Sequence, residues 1–259
     1  MDFVLVTRSN RKKRGNKKKE KKGARTNVNV DNELWSQEAL EKRLTKNEER
    51  FHVGAYFEKI KSFLEPYSLQ FKHCLILGLG RVHTITASLQ LQLFFELQSI
   101  FQIPSPNCSF YDPAFLEDDI QFLQNKDFTL LKESPKPEEC LENTLLFMPH
   151  CPTSLYEQWL DAYSKSEKQF SMCGNNLKLY VDNLPSKEIK SKYPNIYRVC
   201  QQKLHTQILF PEFSEAFAFN DFAFHFPCSH RSNEDPETTS PEKTPSTAVD
   251  VSNVAEHPN

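Results

Sequence analysis

One short stretch constrains the fold of this chain more than any other. It reads His73-Cys-Leu-Ile-Leu-Gly78-Leu-Gly80, and its continuous apolar run is typical of a strand that is buried on both faces. The two glycines that end it permit a tight turn. From about Thr84 to Ile103 the polar residues recur at helical spacing, and Pro104 ends this predicted helix. A buried strand followed directly by a long helix is typical of an α/β fold with a parallel sheet.

The following residues repeat this alternation of strand and helix. The patterns predict strands at 108–112, 128–131, 144–148 and 177–181, and helices at 113–124, at 153–163 and around Lys187. Right-handed crossovers of this length place helices on both faces of a sheet. We therefore predict an α/β fold for residues 67–230, a three-layer Rossmann-like domain with a mostly parallel sheet. The phenylalanine-rich tract 208–227 is predicted to form an edge strand and a cap on the sheet, with a peptide-docking surface as the alternative.

The segments that flank this domain differ from it in composition. Residues 33–66 predict a helical preamble. Residues 1–32 include a basic run, because positions 8–25 hold eleven Lys or Arg and one Glu, and residues 231–259 are acidic and rich in Ser, Thr and Pro. We expect both tails to be disordered. The basic run could act as a nuclear-localisation signal, as a weak contact to nucleic acid, or as a solubilising tail without a specific partner.

Charge and apolar content exclude several classes of protein. The 259 residues are 38% hydrophobic with a net charge of −2, which fits one globular domain with tails. Without residues 1–25 the chain has 11 more acidic than basic residues, which disfavours nucleic-acid binding by the domain itself. No apolar run approaches the roughly 18 residues of a membrane span, and no signal-peptide pattern is present. Seven dispersed cysteines without a C-x-x-C pair indicate reduced thiols, so we expect a cytoplasmic location, with the nucleus as an alternative.

Three loops, which follow the first, second and fourth predicted strands, lie beyond the carboxyl ends of the strands. Open parallel sheets bind their ligands at this edge. The first resembles part of a dinucleotide fingerprint, because Gly78 and Gly80 allow a tight turn before a helix N-terminus that could receive an anion. His83 replaces the third glycine, however, and either Arg81 or His83 could bind a phosphate there. Asp112, the acidic residue after the second strand, follows Gly80 by 32 residues instead of about 20. Asp112 could also simply cap a helix that starts at Pro113.

The third loop brings a titratable imidazole and a thiol out of a buried strand together. These are His150 and Cys151, and a helix N-terminus at this place would lower the pKa of the thiol and favour the thiolate. Cys151 could then serve as a nucleophile, a metal ligand or an axial thiolate to haem iron. The order of the remaining residues supports neither a nucleophilic triad nor, around His225, Cys228 and His230, a zinc-finger spacing. Haem, a nucleotide and S-adenosylmethionine all stay open as cofactors.

Four blocks of this sequence together resemble one known family. They are Leu77-Gly-Leu-Gly80 with its Gln/Leu-rich helix, Phe110-Tyr-Asp-Pro-Ala-Phe115, Leu146-Phe-Met-Pro-His-Cys-Pro152 with Tyr156, and Phe219-Asn-Asp221 with Phe226-Pro227. On these blocks the chain resembles the SRR-like family, named for sensitivity to red light reduced, from about residue 55 to 228. It differs at Arg81-Val82-His83, where the family has small and hydroxyl residues. It differs again at Asp182-Asn183-Leu184, which keeps only the Asn of a Gly-Asn-Ser that ends the fifth strand.

The resemblance implies a regulator more than an established enzyme. Plant members act in light signalling and circadian-clock input, a fungal member is linked to microtubule function, and animal members are linked to haem biosynthesis and clock-gene expression. An intracellular regulatory protein with protein partners of unknown identity is therefore the leading hypothesis. Two alternatives remain. One is a nucleotide- or S-adenosylmethionine-dependent enzyme that uses Gly78, Gly80 and Asp112, and the other is a scaffold whose Phe-rich end docks other proteins.

Overall fold

The computed structural model describes residues 36–166, 171–202, 205–213, 216–219 and 221–227. The two predicted disordered tails, Cys228 and His230 lie outside these ranges. Within them, no helix combines the length and the apolar character that crossing a bilayer requires.

Seven strands form one mixed sheet with the order β3-β2-β1-β4-β5-β7-β6. Strands β1 to β5 run parallel to one another, while β7 runs antiparallel between β5 and β6. The bounds are β1 His73–Leu77, β2 Cys108–Tyr111, β3 Thr129–Leu130, β4 Thr144–Met148, β5 Ser171–Asn175, β6 His205–Leu209 and β7 Phe222–Pro227. This arrangement confirms the predicted α/β class with its mostly parallel sheet.

Helices cover both faces of the sheet. Their bounds are α1 Gln37–Val53, α2 Tyr56–Leu64, α3 Ile85–Phe101, α4 Glu117–Gln124, α5 Thr153–Ser166, α6 Leu177–Asn183, α7 Ser186–Lys192, α8 Pro194–Gln201 and α9 Ala216–Phe219. Because successive strand residues point to opposite faces, Ile76 packs with the core under α1 to α4, while Leu75 packs with the core under α5 to α8. The two cores give the three layers.

The N-terminal helices share the core of the α/β layers. Ser36 caps α1 by accepting a hydrogen bond from Ala39 N at 3.1 Å, and Leu40, Leu44 and Phe51 on one stripe of α1 are buried. These side chains pack in the same apolar cluster as the residues of α3. The narrow leucine stripe that predicts the helix is therefore the face that covers α3.

Two predicted elements are misplaced. Residues 177–181 form the start of α6, and the fifth strand is β5, six residues earlier. Leu177-Lys-Leu-Tyr-Val181 alternates like a strand, but Asn176 caps a helix there by accepting from Lys178 N at 3.0 Å. The helix predicted at 113–124 begins only at Glu117, because Asp112 and Pro113 form a turn.

The phenylalanine-rich tract divides between the edge and the interior of the sheet. β6 is the edge strand that the sequence predicts, whereas β7 lies inside the sheet. Phe222, Phe224 and Phe226 of β7 are all buried in the core. These three rings therefore cannot supply the docking surface considered as the alternative.

Candidate functional site

The loops after β1 and β4 touch at the carboxyl edge of the sheet, where the strand order reverses direction. Gly78 has a left-handed backbone with φ 72°, and a Cβ atom at this position would overlap Cys151 Sγ. Only glycine therefore fits at position 78. The Cys151 thiol donates a hydrogen bond to Leu77 O at 3.3 Å. The side chain of Cys151 thus packs against the turn after β1, at the edge where such sheets commonly receive a ligand.

The loop after β2 joins this group through Asp112. One carboxylate oxygen of Asp112 accepts from Gly80 N at 2.7 Å, and the other accepts from Ala114 N, also at 2.7 Å. Since α4 starts at Glu117, Asp112 does not cap a helix as the sequence suggests. It ties the Gly78–Gly80 turn to the end of β2. Gly80 is left-handed too, with φ 73°, but its Cα faces open space.

A buried carboxylate that the sequence analysis overlooked fixes the next part of the loop. Asp119 is fully buried and accepts from Arg81 Nε at 2.8 Å, Val82 N at 3.2 Å and Leu116 N at 2.9 Å. His83 Nδ1 lies 3.9 Å from the same carboxylate. The sequence offers one weak signal, because an acidic residue at the third helical position commonly reaches back to the helix start.

Helix α1 holds this loop from the other side. Arg43 Nη1 donates a hydrogen bond to the carbonyl oxygen of His83. Thr84 then caps α3 by accepting from Ala87 N at 3.3 Å. The loop between β1 and α3 is thus fixed by a helix cap, a buried carboxylate and an arginine from the N-terminal helix.

The loop after β4 is held by the side-chain amide of Asn175 at the end of β5. His150 has a left-handed backbone with φ 51°, and its N–H donates to Asn175 Oδ1 at 3.0 Å. Asn175 Nδ2 donates to Tyr180 Oη at 2.8 Å and to Cys151 O at 3.4 Å. The exposed His150 ring hydrogen-bonds through Nε2 to Ala218 O at 3.1 Å, so this ring lies toward α9 and not over Gly78.

Tyr156 of α5 links the ends of β4 and β5 through its hydroxyl group. Its hydroxyl donates to Met148 O and accepts from Asn175 N at 2.9 Å. A Cβ at Gly174 would lie 2.7 Å from the same hydroxyl oxygen, so a larger residue there would displace it. Burial raises the pKa of Tyr156 well above its usual range, and the neutral phenol is kept.

A protein-family model, the SRR1 domain, matches residues 39–226 of the chain. This match covers all seven strands except the last residue of β7, and all the loops just described. The chain belongs to the SRR1 family. The resemblance carried by the Gly-x-Gly, Tyr-Asp-Pro and Met-Pro-His-Cys-Pro blocks is confirmed.

Two relatives of the SRR1 family align over part of the chain. The SRR1-like protein of Mus musculus is 26% identical over 163 residues, covering 60% of this chain and 65% of the relative. The protein SENSITIVITY TO RED LIGHT REDUCED 1 of Arabidopsis thaliana is 22% identical over 156 residues, covering 58% of this chain and 56% of the relative. The alignments therefore span less than two thirds of either relative.

Three solved structures align with this chain at low similarity. The plantazolicin methyltransferase BpumL with SAH aligns with TM-score 0.33 and 14% identity over 73% of this chain and 89% of that chain. Fibrillarin of Aeropyrum pernix with S-adenosyl-L-methionine has TM-score 0.36 and 9% identity over 62% and 68%. A mutant of MtNAS with S-adenosylmethionine has TM-score 0.39 and 8% identity over 74% and 73%. At these scores the alignments transfer no function.

Membership of the SRR1 family gives the two sequence differences a structural reading. The fifth strand, β5, ends at Gly174-Asn175, whereas Asp182 and Asn183 lie at the end of α6. The placement of Asp182-Asn183-Leu184 at the end of the fifth strand is therefore wrong. The loop at Arg81-Val82-His83 holds its arginine by an ion pair with Asp119.

The pKa of the Cys151 thiol is shifted in the direction opposite to the one predicted from a helix N-terminus. Burial raises the pKa of its thiol far above the usual range, and the nearby Asp112 carboxylate raises it further. A neutral thiol that donates to Leu77 O and packs on Gly78 does not fit an axial thiolate of haem. Among the residues that the structure describes, no three His, Cys, Asp or Glu side chains are grouped so as to hold a metal ion.

Proposed function

We propose that this SRR1-family protein is an intracellular regulator that acts in circadian-clock input, clock-gene expression and haem biosynthesis. Family membership over residues 39–226 supports a role of the kind that its relatives have. The name of the Arabidopsis relative links one of them to red-light sensitivity. The regulator acts through protein partners, in the cytoplasm and, by way of the basic run, in the nucleus.

One observation favours regulation over catalysis. The polar side chains at the carboxyl edge bond mainly to other protein groups. Asp112 binds two backbone N–H groups, Asp119 binds Arg81, and Asn175 binds the loop after β4. Cys151 is a buried neutral thiol. These groups hold three loops in one fixed surface, and a fixed surface suits recognition by another macromolecule.

Cells that express the protein and carry a circadian luciferase reporter provide the test. Removing the protein should change the period or amplitude of the rhythm and the cellular haem content, and the wild type should restore both. The Cys151→Ser variant should restore them equally, because serine keeps the packing on Gly78 without thiol chemistry. An unchanged rhythm together with unchanged haem after removal would overturn the proposal.

An enzyme that depends on a nucleotide or S-adenosylmethionine is the second candidate. The specific observation is the open space at Gly80, directly beside the Asp112 carboxylate. A sugar hydroxyl could donate to this carboxylate, as the acidic residue after the second strand does in dinucleotide folds. No chemical step follows from these residues alone.

Native mass spectrometry of the full chain, purified directly from cells, tests this candidate. A cofactor-dependent enzyme should retain the ligand, and Asp112→Ala should lose it while the exposed Asp118→Ala should not. Adding S-adenosylmethionine, ATP or NAD should raise the melting temperature of the wild type. Absence of a retained mass together with unchanged melting temperatures removes this candidate and leaves the regulatory proposal untouched.

A further inference from the structure

A cleft lies between α1 and α3, and none of its described lining residues belongs to the loops of the carboxyl edge. Its volume is about 710 Å³, within the range of roughly 300 to 1,000 Å³ that is common for sites of drug-sized ligands. Helices α1, α2 and α3 each supply part of the lining. The lining residues that matter for recognition are Glu41, Glu48, Phe57, Gln92, Phe95 and Glu96.

Two side chains of α3 bring buried oxygen atoms to this cleft. Gln92 is 5% exposed and Glu96 is 6% exposed, and Gln92 Nε2 donates a hydrogen bond to Glu96 Oε1 at 2.7 Å. Within the described ranges of the chain, the remaining oxygens Gln92 Oε1 and Glu96 Oε2 receive no hydrogen bond. Buried acceptors in proteins are almost always paired with a donor. These two oxygens therefore indicate a ligand that carries N–H groups.

The lining of the cleft is mainly acidic. Glu41 and Glu48 lie two turns apart on one face of α1, and both are exposed. In the part of the chain that the structure describes, neither carboxylate forms an ion pair. Lys126 also lines the cleft, but its ammonium group lies over the ring of Phe122, 5.1 Å from the centroid. The charge of the cleft therefore favours a cationic ligand.

The buried carboxylate of Glu96 is poorly compensated by its neighbours. Its Oε2 atom lies 3.7 Å from His52 Nε2, which is too far for a hydrogen bond, and an imidazole is a cation only when it is protonated. Burial raises the pKa of the Glu96 carboxyl and outweighs the lowering by Gln92 and His52, and Glu48 raises it further. A permanently charged ligand beside Glu96 would stabilise its ionised form.

Two half-buried aromatic rings form the apolar part of the cleft. Phe57 of α2 packs against the His52 ring with 5.0 Å between centroids, and Phe95 of α3 stacks on Phe128 at 5.9 Å. A guanidinium group packs well on aromatic faces, and its planar fork can donate to two neighbouring oxygens at once. An ammonium group is more strongly hydrated and lacks this fork. The rings and the paired oxygens together favour an arginine side chain over a lysine.

We propose that the cleft between α1 and α3 binds an arginine side chain of a protein partner. The guanidinium donates to Gln92 Oε1 and Glu96 Oε2, and its flat face packs on the aromatic part of the lining. The cleft is larger than one guanidinium, and Glu41 and Glu48 extend its acidic lining along α1, so it fits a short basic segment of the partner. The proposal rests on the regulatory function above in one respect, because that function supplies protein partners.

Fluorescence anisotropy with the purified full chain tests the proposal. The probe is a short fluorescein-labelled peptide of alternating arginine and serine residues. The control peptide replaces each arginine with citrulline, which has nearly the same shape and no charge. The arginine peptide should bind at least about tenfold more tightly than the citrulline peptide, because charge-assisted hydrogen bonds are roughly twice as strong as neutral ones.

Three variants locate the binding. Glu96→Gln should weaken binding about tenfold, since it removes the buried charge and keeps an oxygen that accepts from Gln92. Glu48→Gln, at an exposed position, should weaken it about threefold without affecting the fold. Glu49→Gln, on α1 but outside the described cleft lining, is the matched control and should bind as the wild type. If the melting temperature shows that Glu96→Gln is unfolded, the comparison of Glu48→Gln with Glu49→Gln decides the proposal.

The side-chain amide signals of Gln92 in NMR spectra should shift with the arginine peptide and stay unchanged with the citrulline peptide. Equal binding of both peptides would overturn the proposal, and so would equal weakening by Glu48→Gln and Glu49→Gln, which shows a general effect of charge. Free arginine amide that binds as tightly as the peptide would assign the cleft to a small organic cation instead of a partner. None of these readouts depends on a circadian rhythm or on haem content, so a negative result leaves the regulatory proposal standing.

Discussion

The two halves of the carboxyl edge hold their loops by different means. On the β1 and β2 side the loop from Gly78 to Thr84 is fixed by carboxylates, with the fully buried Asp119 paired to Arg81. On the β4 and β5 side the loop is fixed by neutral groups, the amide of Asn175 and the phenol of Tyr156. A buried charge must keep its partners, whereas a neutral network loses only individual hydrogen bonds. The first half should therefore be the more sensitive to single substitutions.

The largest effect is expected for Asp119→Ala on the charged side. It removes the partner of Arg81 and leaves the Val82 and Leu116 amides without their acceptor, so we expect a loss of about 3 kcal/mol in the free energy of unfolding. Scanning calorimetry should show a fall of about 6 to 12 °C in melting temperature. Glu117→Ala, an exposed acidic residue of the same helix turn, is the matched control and should change the melting temperature little. Equal shifts in both variants would contradict a special role for Asp119.

Asn175→Ala should have a smaller effect on the neutral side. It removes the acceptor for His150 N and the donor to Tyr180, and we expect a loss of about 2 kcal/mol in urea unfolding. Asn125→Ala, at an exposed position after α4, provides the control. If Asn175→Ala destabilises the protein more than Asp119→Ala does, the contrast between the two halves is reversed.

Alkaline pH should lower the stability that Cys151 contributes on the β4 and β5 side of the carboxyl edge. Burial raises the folded-state pKa of the Cys151 thiol above its unfolded value, so its contribution to stability is present below about pH 9 and is lost as the pH rises further. The free energy of unfolding of the wild type should fall by about 1 kcal/mol more than that of Cys151→Ser between pH 9 and pH 10. Parallel pH curves for the two proteins would mean that the thiol is not buried as described.

The smallest expected effect concerns haem. Because Cys151 is buried and neutral, hemin added to the full chain should give the same Soret band with wild type and Cys151→Ala. Free imidazole serves as a positive control for ligation of the hemin used. A Soret band that shifts only in the wild type would restore the thiolate ligand that the sequence suggests.

The sequence predicts the parts of the fold whose signal is local. β1 and β4 are continuous apolar runs, and α3 carries a clear helical period, so these elements lie where expected. β5 was missed because Ser-Met-Cys-Gly-Asn has few strand-forming residues and owes its place to the strands on either side. The neighbouring Leu177–Val181 has an alternating pattern, but a helix cap at Asn176 decides its structure.

In the candidate site, too, the sequence predicts only what has a local signal, and more of the site than of the fold lacks one. Family blocks and strand ends identify Gly78, Gly80, Asp112 and Cys151 as neighbours, since parallel strands end at one edge. Asp119 could not be identified in this way, because it binds Arg81 across 38 positions of sequence. The state of Cys151 was predicted with the wrong sign, because burial outweighs the helix N-terminus and only the packed structure reveals burial.

The bond from Arg43 to His83 O gives the N-terminal helix a consequence for any shortened form of the protein. Trimming the chain to begin near β1 would discard α1 and expose the apolar core to which Leu40, Leu44 and Phe51 belong. The same cut would release the turn after β1 from one of its anchors. A loss of activity in such a shortened protein would then result from the loosened turn after β1. It would not show that functional residues lie in the discarded helix.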